Sequence, residues 1–108
     1  MAVYVDPLVD WGALARSRGL RHTAWCHLTA DTRDELHTFA AQLGLRRTWF
    51  QHPDDWRWHY DITALKRAAA LRNGALELDR AGMAAVFANH RQAHHTRPGP
   101  ARNERSSG

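Results

Sequence analysis

The sequence predicts a single small α/β domain with about four strands in a mostly parallel sheet and three helices packed on it. Its 108 residues suffice for one hydrophobic core. Hydrophobic residues make up 44% of the chain and charged residues 24%, as in ordinary globular proteins. Short strand-like stretches alternate with helical patterns, which is typical of an α/β layer structure with helical crossovers between parallel strands.

Four short segments are rich in β-branched or aromatic residues, or alternate between apolar and polar residues, and are predicted as the strands. They are residues 2–5, 24–28, 47–51 and 75–78. In this interpretation Trp49 is a core residue of the third strand. Trp56 and Trp58 lie in the polar loop over residues 56–60, where at least one of them should be partly exposed.

The three helices are predicted from N-caps and from apolar residues at helical spacing. Thr32 and Glu35 have the spacing of a capping box, in which each side chain binds a free backbone N–H. Asp61 and Asp79 are candidate N-caps of the second and third helices. Asp10 is a candidate cap of an additional brief helix over residues 11–16.

The formal net charge of +4 lies mostly at the C-terminal end of the chain. Residues 91–108 carry a net charge of +3, so residues 1–90 carry only +1. We predict a folded domain over residues 1–95 and a disordered basic tail over residues 96–108, which offers little to bury. The nearly neutral domain argues against a nucleic-acid-binding surface on it.

The composition also indicates where the protein is found. No segment approaches the roughly 18 uninterrupted apolar residues of a membrane span, and no secretory leader is visible. The single cysteine, Cys26, cannot form a disulfide within the chain. We therefore expect a cytoplasmic protein without membrane association. The sequence predicts no particular oligomeric state.

Polar side chains follow the predicted strands at the edge where parallel sheets bind ligands. Asp6 follows the first strand, His27 ends the second, and His59 and Asp61 precede the second long helix. Carboxylates and imidazoles perform acid–base chemistry, so these four are the candidate catalytic residues. The candidate ligand-binding residues are Gln51, Tyr60, Lys66 and Arg67.

A divalent metal cofactor is possible at the same edge. The ligand types suit zinc or manganese, although their spacing matches no established motif. The candidate ligands are Asp6, His27, His52, His59 and Asp61, whereas His94 and His95 are assigned to the tail.

Two further side chains have the right chemistry but an unfavourable position. Cys26 and His27 are neighbours in a strand and point to opposite faces, so they cannot form a catalytic dyad. His37 follows the apolar Leu36 and is predicted as a histidine at the boundary of the core.

Several stretches resemble the family of domains of unknown function numbered 4031, which is similar to small bacterial and phage proteins. They are residues 3–6 (VYVD), 26–32 (CHLTADT), 35–37 (ELH), 49–51 (WFQ) and 59–62 (HYDI), with Lys66 and Arg67. The resemblance covers roughly residues 1–80. It departs at Trp58, where a proline is expected, and it implies no activity because the family has no established one.

The residues favour a ligand-binding or hydrolytic domain that acts on a phosphate-bearing or nucleotide-like molecule. Asp6, His27 and Asp61 would perform acid–base or metal chemistry, while Lys66 and Arg67 would hold the anion. One alternative is a nucleic-acid-binding accessory protein that uses the loop tryptophans and the basic tail. The other is a non-catalytic partner-binding module, in which the polar cluster serves only folding or association.

Overall fold

A computed structural model describes residues 2–19 and 23–96, which form one mixed sheet with helices packed on it. The strands are β1 (Val3–Val5), β2 (Val9–Asp10), β3 (Ala24–Ala30), β4 (Phe50–Gln51), β5 (His59–Thr63) and β6 (Leu76–Glu77). The helices are α1 (Gly12–Ser17), α2 (Arg33–Gln42), α3 (Ala64–Arg72), α4 (Arg80–Thr96) and a 3₁₀ helix (Arg47–Trp49). Within these ranges, no helix is long and apolar enough to cross a membrane.

The α/β class and the three longer helices are confirmed, but the prediction of about four mostly parallel strands is wrong. The sheet has six strands in the order β4-β5-β3-β1-β6, and β2 also pairs with β3. Only the β1–β6 pair is parallel in the described part of the chain. Helix α2 does carry the chain from β3 to a strand of the same direction, β4. However, β5 inserts between them and runs antiparallel to both.

The strand β5 was not predicted from the sequence. Residues 56–60 were predicted as a loop and Asp61 as a helix cap, whereas residues 59–63 alternate between the two faces of the sheet. Tyr60 and Ile62 are buried and Asp61 is exposed. Helix α3 starts later, with the Thr63 side chain accepting a hydrogen bond from the backbone N–H of Lys66. Its predicted end at residues 73–74 is confirmed.

The other predicted N-caps are confirmed, except that Glu35 accepts the hydroxyl group of Thr32 and not its backbone N–H. Thr32 caps α2 by accepting the backbone N–H of Glu35 at 3.2 Å, and Gly44 follows the helix with a φ of +79°. Asp10 accepts the N–H of Gly12 at the start of α1, and Asp79 accepts that of Gly82 at the start of α4. These local interactions fix the helices that flank the sheet.

The hydrophobic core lies between one face of the sheet and helices α2 and α3. The sheet contributes Val5, Leu28, Tyr60 and Ile62, each at most 1% exposed. The helices contribute equally buried residues, namely Leu36, Ala40 and Ala70. Since alternate residues of a strand point to opposite faces, the neighbouring residues of β3 and β5 are left for the other face.

Two tryptophan predictions have different outcomes. Trp49 belongs to the 3₁₀ helix and is 46% exposed, so its prediction as a core residue of a strand is wrong. Only residues 50–51 of the predicted third strand are extended, because the preceding three residues form that helical turn. Trp58 is buried against the ring of His90, whereas Trp56 remains partly exposed, as predicted for one of the pair.

The last helix is longer than its apolar pattern indicates. Helix α4 extends to Thr96 and includes His94 and His95, which were assigned to the tail. The helical pattern therefore continues past the last apolar position read from the sequence. The disordered tail was predicted over residues 96–108, of which residues 97–108 lie outside the described residues.

Candidate functional site

An open groove of about 1020 Å³ is lined by odd-numbered side chains of β3 and β5, and it also reaches Cys26 and Ile62 of the core face. His27 of β3 is directly opposite Asp61 of β5 in the register, and His59 is on the same face two residues earlier. The antiparallel pairing of these two strands therefore places both imidazoles and a carboxylate at one position in the groove. Asp6, which directly follows β1, also lines it.

Asp6 and His27 form a close pair across β1 and β3. The Asp6 Oδ2 atom lies 2.7 Å from His27 Nδ1, and Asp6 Oδ1 accepts the backbone N–H of His27 at 2.7 Å. The hydrogen bond to Asp6 raises the pKa of His27 and outweighs the opposing effect of burial. This pair fixes the ring of His27 through Nδ1, while Nε2 takes no part in the contact with Asp6.

His59 and Asp61 form a second pair, on β5. Both ring nitrogens of His59 face oxygen acceptors: Nδ1 lies 2.6 Å from the backbone carbonyl of Arg57 and Nε2 lies 3.1 Å from Asp61 Oδ1. Burial alone would raise the pKa of Asp61. The hydrogen bond with His59, and the positive charge that His59 and His27 can carry, reverse that effect and lower it.

The two pairs meet in one cluster, which we call the His–Asp cluster and define as His27, His59 and Asp61. One ligand atom from each of the three side chains lies within 4.8 Å of the other two. The rings of His27 and His59 are 4.7 Å apart and nearly perpendicular. Phe87 of α4 packs edge-on against both, at 5.9 and 6.1 Å.

Phe87 was read from the sequence only as part of an apolar helical stripe. No local pattern indicates that this helix crosses the two histidines, because the contact joins distant parts of the chain. His52 was considered only as a metal ligand, and its ring lies 5.7 Å from that of His59. Its positive φ of 55° turns the chain at the end of β4, beside the groove.

Two of the four predicted ligand-binding residues line the groove, and the other two do not. Gln51 lies opposite His59 in the register and lines the groove, as does Lys66, whose Nζ donates to the carbonyl of Leu43. Tyr60 points to the other face, where it is buried and its hydroxyl group pairs with Nδ1 of His37 at 2.9 Å. The predicted boundary position of His37 agrees with this contact.

Arg67 does not line the groove but supports it. Its Nε donates to the backbone carbonyl of Asp6 at 2.8 Å, and its terminal nitrogen pairs with Glu77 at 2.7 Å. Its guanidinium group therefore binds the backbone of Asp6 and does not face the ligand groove. This contact joins α3 to the residue that orients His27.

The remaining walls of the groove are mainly aromatic or apolar, with Arg18 and two threonines among them. Trp11, Leu14 and Trp49 line the groove, and each is about half exposed. Cys26 also contacts the groove but is only 4% exposed, and burial raises the pKa of its thiol to about 12. A thiol of this kind is not a nucleophile near neutral pH.

Comparison with known proteins gives one match. A family described as "Protein of unknown function (DUF4031)" matches residues 3–90. No curated protein and no solved structure matches the chain. The matched region extends from β1 into α4 and contains Asp6, the His–Asp cluster and Phe87. The chain therefore belongs to the DUF4031 family.

Proposed function

We propose that the groove binds a phosphate ester, such as a nucleotide-like molecule, and that the His–Asp cluster activates the water that hydrolyses it. The observation that carries this proposal is the convergence of His27, His59 and Asp61 in an open groove. Groups of this type, held by partners and accessible to a ligand, are typical of sites that move protons.

The side chains that line the groove suit a nucleotide-like phosphate ester. Trp11 and Trp49 present exposed aromatic rings, on which a nucleobase or another ring can stack. Lys66 and Arg18 also line the groove and contribute positive charge for an anion. Arg67 and Tyr60 were predicted to bind ligand, but neither lines the groove. We assign ligand binding to the lining residues named above instead.

The reaction requires one water molecule. Its oxygen attacks phosphorus while the bond between phosphorus and the ester oxygen breaks. One proton of the water passes to the His–Asp cluster, and the departing alkoxide takes up a proton. The products are an alcohol and a phosphate with one ester bond fewer. General acid–base catalysis of this kind contributes roughly 10²- to 10⁴-fold to a rate.

The alternatives from the sequence are less well supported. Trp58 is buried against His90, and the guanidinium groups of Arg57 and Arg91 lie 5.4 and 5.7 Å from the ring of Trp56. The loop tryptophans are thus engaged within the protein, which weakens the proposal of a nucleic-acid-binding accessory protein. A partner-binding module would need no open groove at the cluster.

The proposal is tested by incubating the purified full chain with bis(p-nitrophenyl) phosphate, p-nitrophenyl phosphate and a panel of nucleotides, with and without divalent metal ions. We expect release of phosphate or nitrophenol, reduced at least about 100-fold in Asp61→Asn and His27→Gln. His94→Gln, on the exposed part of α4, is the matched control and should keep full activity. Equal activity in wild type and Asp61→Asn, or no hydrolysis of any substrate, would overturn the proposal.

A further inference from the structure

We propose that His27, His59 and Asp61 together hold one divalent transition-metal ion of the zinc type. This inference rests on the proposed function, since it names the agent that activates the water. With the metal bound, both imidazoles are ligands, so the proton that the water loses at the metal passes to the solvent and not to the cluster. Asp6 and the carbonyl of Arg57 are then positioning groups behind the ligands.

The hydrogen-bond partners of His59 carry the first argument. A neutral imidazole has one N–H, yet both nitrogens of His59 face oxygen acceptors. Both partners only accept, and the contact of Nδ1 with the carbonyl of Arg57, at 2.6 Å, is shorter than that of Nε2 with Asp61, at 3.1 Å, so we assign the N–H to Nδ1. Nε2 can then meet the Asp61 carboxylate in two ways, by taking up a second proton or by binding a cation, and a metal ion shared with Asp61 is the second of these.

The partners of His27 carry the second argument. Metal-bound histidines almost always donate their other N–H to a carboxylate or a backbone carbonyl. His27 donates from Nδ1 to Asp6, and His59 donates from Nδ1 to Arg57. Both rings are thus held in the tautomer that presents Nε2. Arg67 adds a further layer by binding the carbonyl of Asp6.

The distances and the exposure of the side chains fit this site. Two ligands at about 2.0–2.2 Å from one metal ion lie roughly 3–3.5 Å apart. The His59–Asp61 separation of 3.1 Å falls within that range, and all three ligand atoms lie within 4.8 Å. The side chains of His27 and Asp61 are 46% and 45% exposed, so a metal ion can reach both from the groove.

The set of ligands indicates the kind of metal and its role. Two imidazoles and one carboxylate match catalytic zinc sites, which keep one position for water or substrate. The open groove provides that position. A metal ion there lowers the pKa of bound water towards neutrality and polarises a phosphoryl oxygen, which is the activation that hydrolysis needs.

The test measures binding of the metal alone to the full chain after treatment with a chelator. Isothermal titration with Zn²⁺ should give one ion per chain, and Co²⁺ should give visible absorption bands of a low-coordinate site. Affinity should fall more than about 100-fold in His59→Gln and Asp61→Asn, and about 10- to 100-fold in Asp6→Asn. The double variant His94→Gln/His95→Gln removes two exposed histidines of α4 and should bind as the wild type does.

Far-UV circular dichroism verifies that each variant is folded. Asp61→Asn changes an exposed side chain, so the test remains valid even if His59→Gln unfolds. Absence of saturable binding to the wild type, or binding that survives in Asp61→Asn and disappears in the α4 double variant, would overturn the metal site.

Hydrolysis assays separate this inference from the proposed function. If Zn²⁺ binds as expected but no phosphate ester is cleaved, the metal site stands and the proposed function fails. If the chelator-treated chain hydrolyses substrate at the full rate and Asp61→Asn does not, the proposed function stands and the metal inference fails.

Discussion

Asp6 binds His27 twice, with one carboxylate oxygen 2.7 Å from the ring Nδ1 and the other accepting the backbone N–H of His27 at 2.7 Å. The contact fixes the ring to its own strand and joins it to the end of β1. The carboxylate of Asp6 is nearly buried, with 11% of the side chain exposed. The carboxylate of Asp6 thus determines the orientation of the His27 ring.

The Asp6→Asn variant should lose stability and alter the titration of His27. An amide keeps an oxygen for the backbone N–H of His27 but removes the charge beside the ring. We expect the free energy of unfolding to fall by about 1–3 kcal/mol, measured by urea denaturation. The raised pKa of His27, followed by NMR, should move down. Asp10→Asn, at an exposed cap, is the control, and an unchanged His27 pKa in Asp6→Asn would contradict this account.

The pKa of His27 also predicts how stability depends on pH in the metal-free protein. Because this pKa is raised in the folded state, the pair with Asp6 contributes its full stability below the ordinary imidazole value of about 6.5. That contribution is lost as the pH rises through the folded pKa. Urea denaturation across this range should show wild type losing stability relative to His27→Gln. A constant difference between the two proteins would count against the pair.

His90 should have the opposite pH dependence. Its ring stacks on Trp58 at 3.9 Å and donates from Nε2 to the carbonyl of Ala30, and burial lowers its pKa. The neutral ring is therefore favoured in the folded state. We expect stability to be lost as the pH falls below about 6.5, and this loss to be smaller in His90→Gln. Thermal melts at acidic and neutral pH measure the difference, and identical pH profiles would refute it.

The sequence predicted the parts of the fold that depend on residues close in the chain. Thr32, Asp10 and Asp79 cap helices because each side chain reaches a backbone N–H two or three residues later. Gly44 follows a helix because a positive φ is needed there. Such interactions depend little on the rest of the protein.

The position of β5 could not be predicted in the same way. Asp61 has the local properties of a helix cap, yet it lies in a strand because residues 59–63 fill the space between β3 and β4. Such pairing depends on residues far apart in the chain. The four predicted acid–base residues were expected at the carboxyl edge of a parallel sheet. The structure instead brings them together on one face, through antiparallel pairing of β3 with β1 and with β5.

The start of α3 can be tested directly by Thr63→Ala. Thr63 accepts the backbone N–H of Lys66, so its removal leaves a helix N-terminus without its cap. We expect a loss of about 1 kcal/mol in the free energy of unfolding. Thr38→Ala, at an exposed position inside α2, is the control and should not destabilise the protein. No loss in Thr63→Ala would mean that α3 begins elsewhere.

Cys26 should be inert towards thiol reagents in the folded protein. Its side chain points into the core, opposite to its neighbour His27, and burial raises its pKa to about 12. At about pH 8, only about one such thiol in ten thousand is ionised, and only the thiolate reacts. Modification by iodoacetamide should therefore be more than about 1000-fold slower than in the same chain unfolded in urea, as followed by mass spectrometry. The unfolded chain is the control because it carries the same thiol at its ordinary pKa. Comparable rates in both states would mean that the β3 strand opens readily, so that the neighbouring His27 could not be held in a fixed position either.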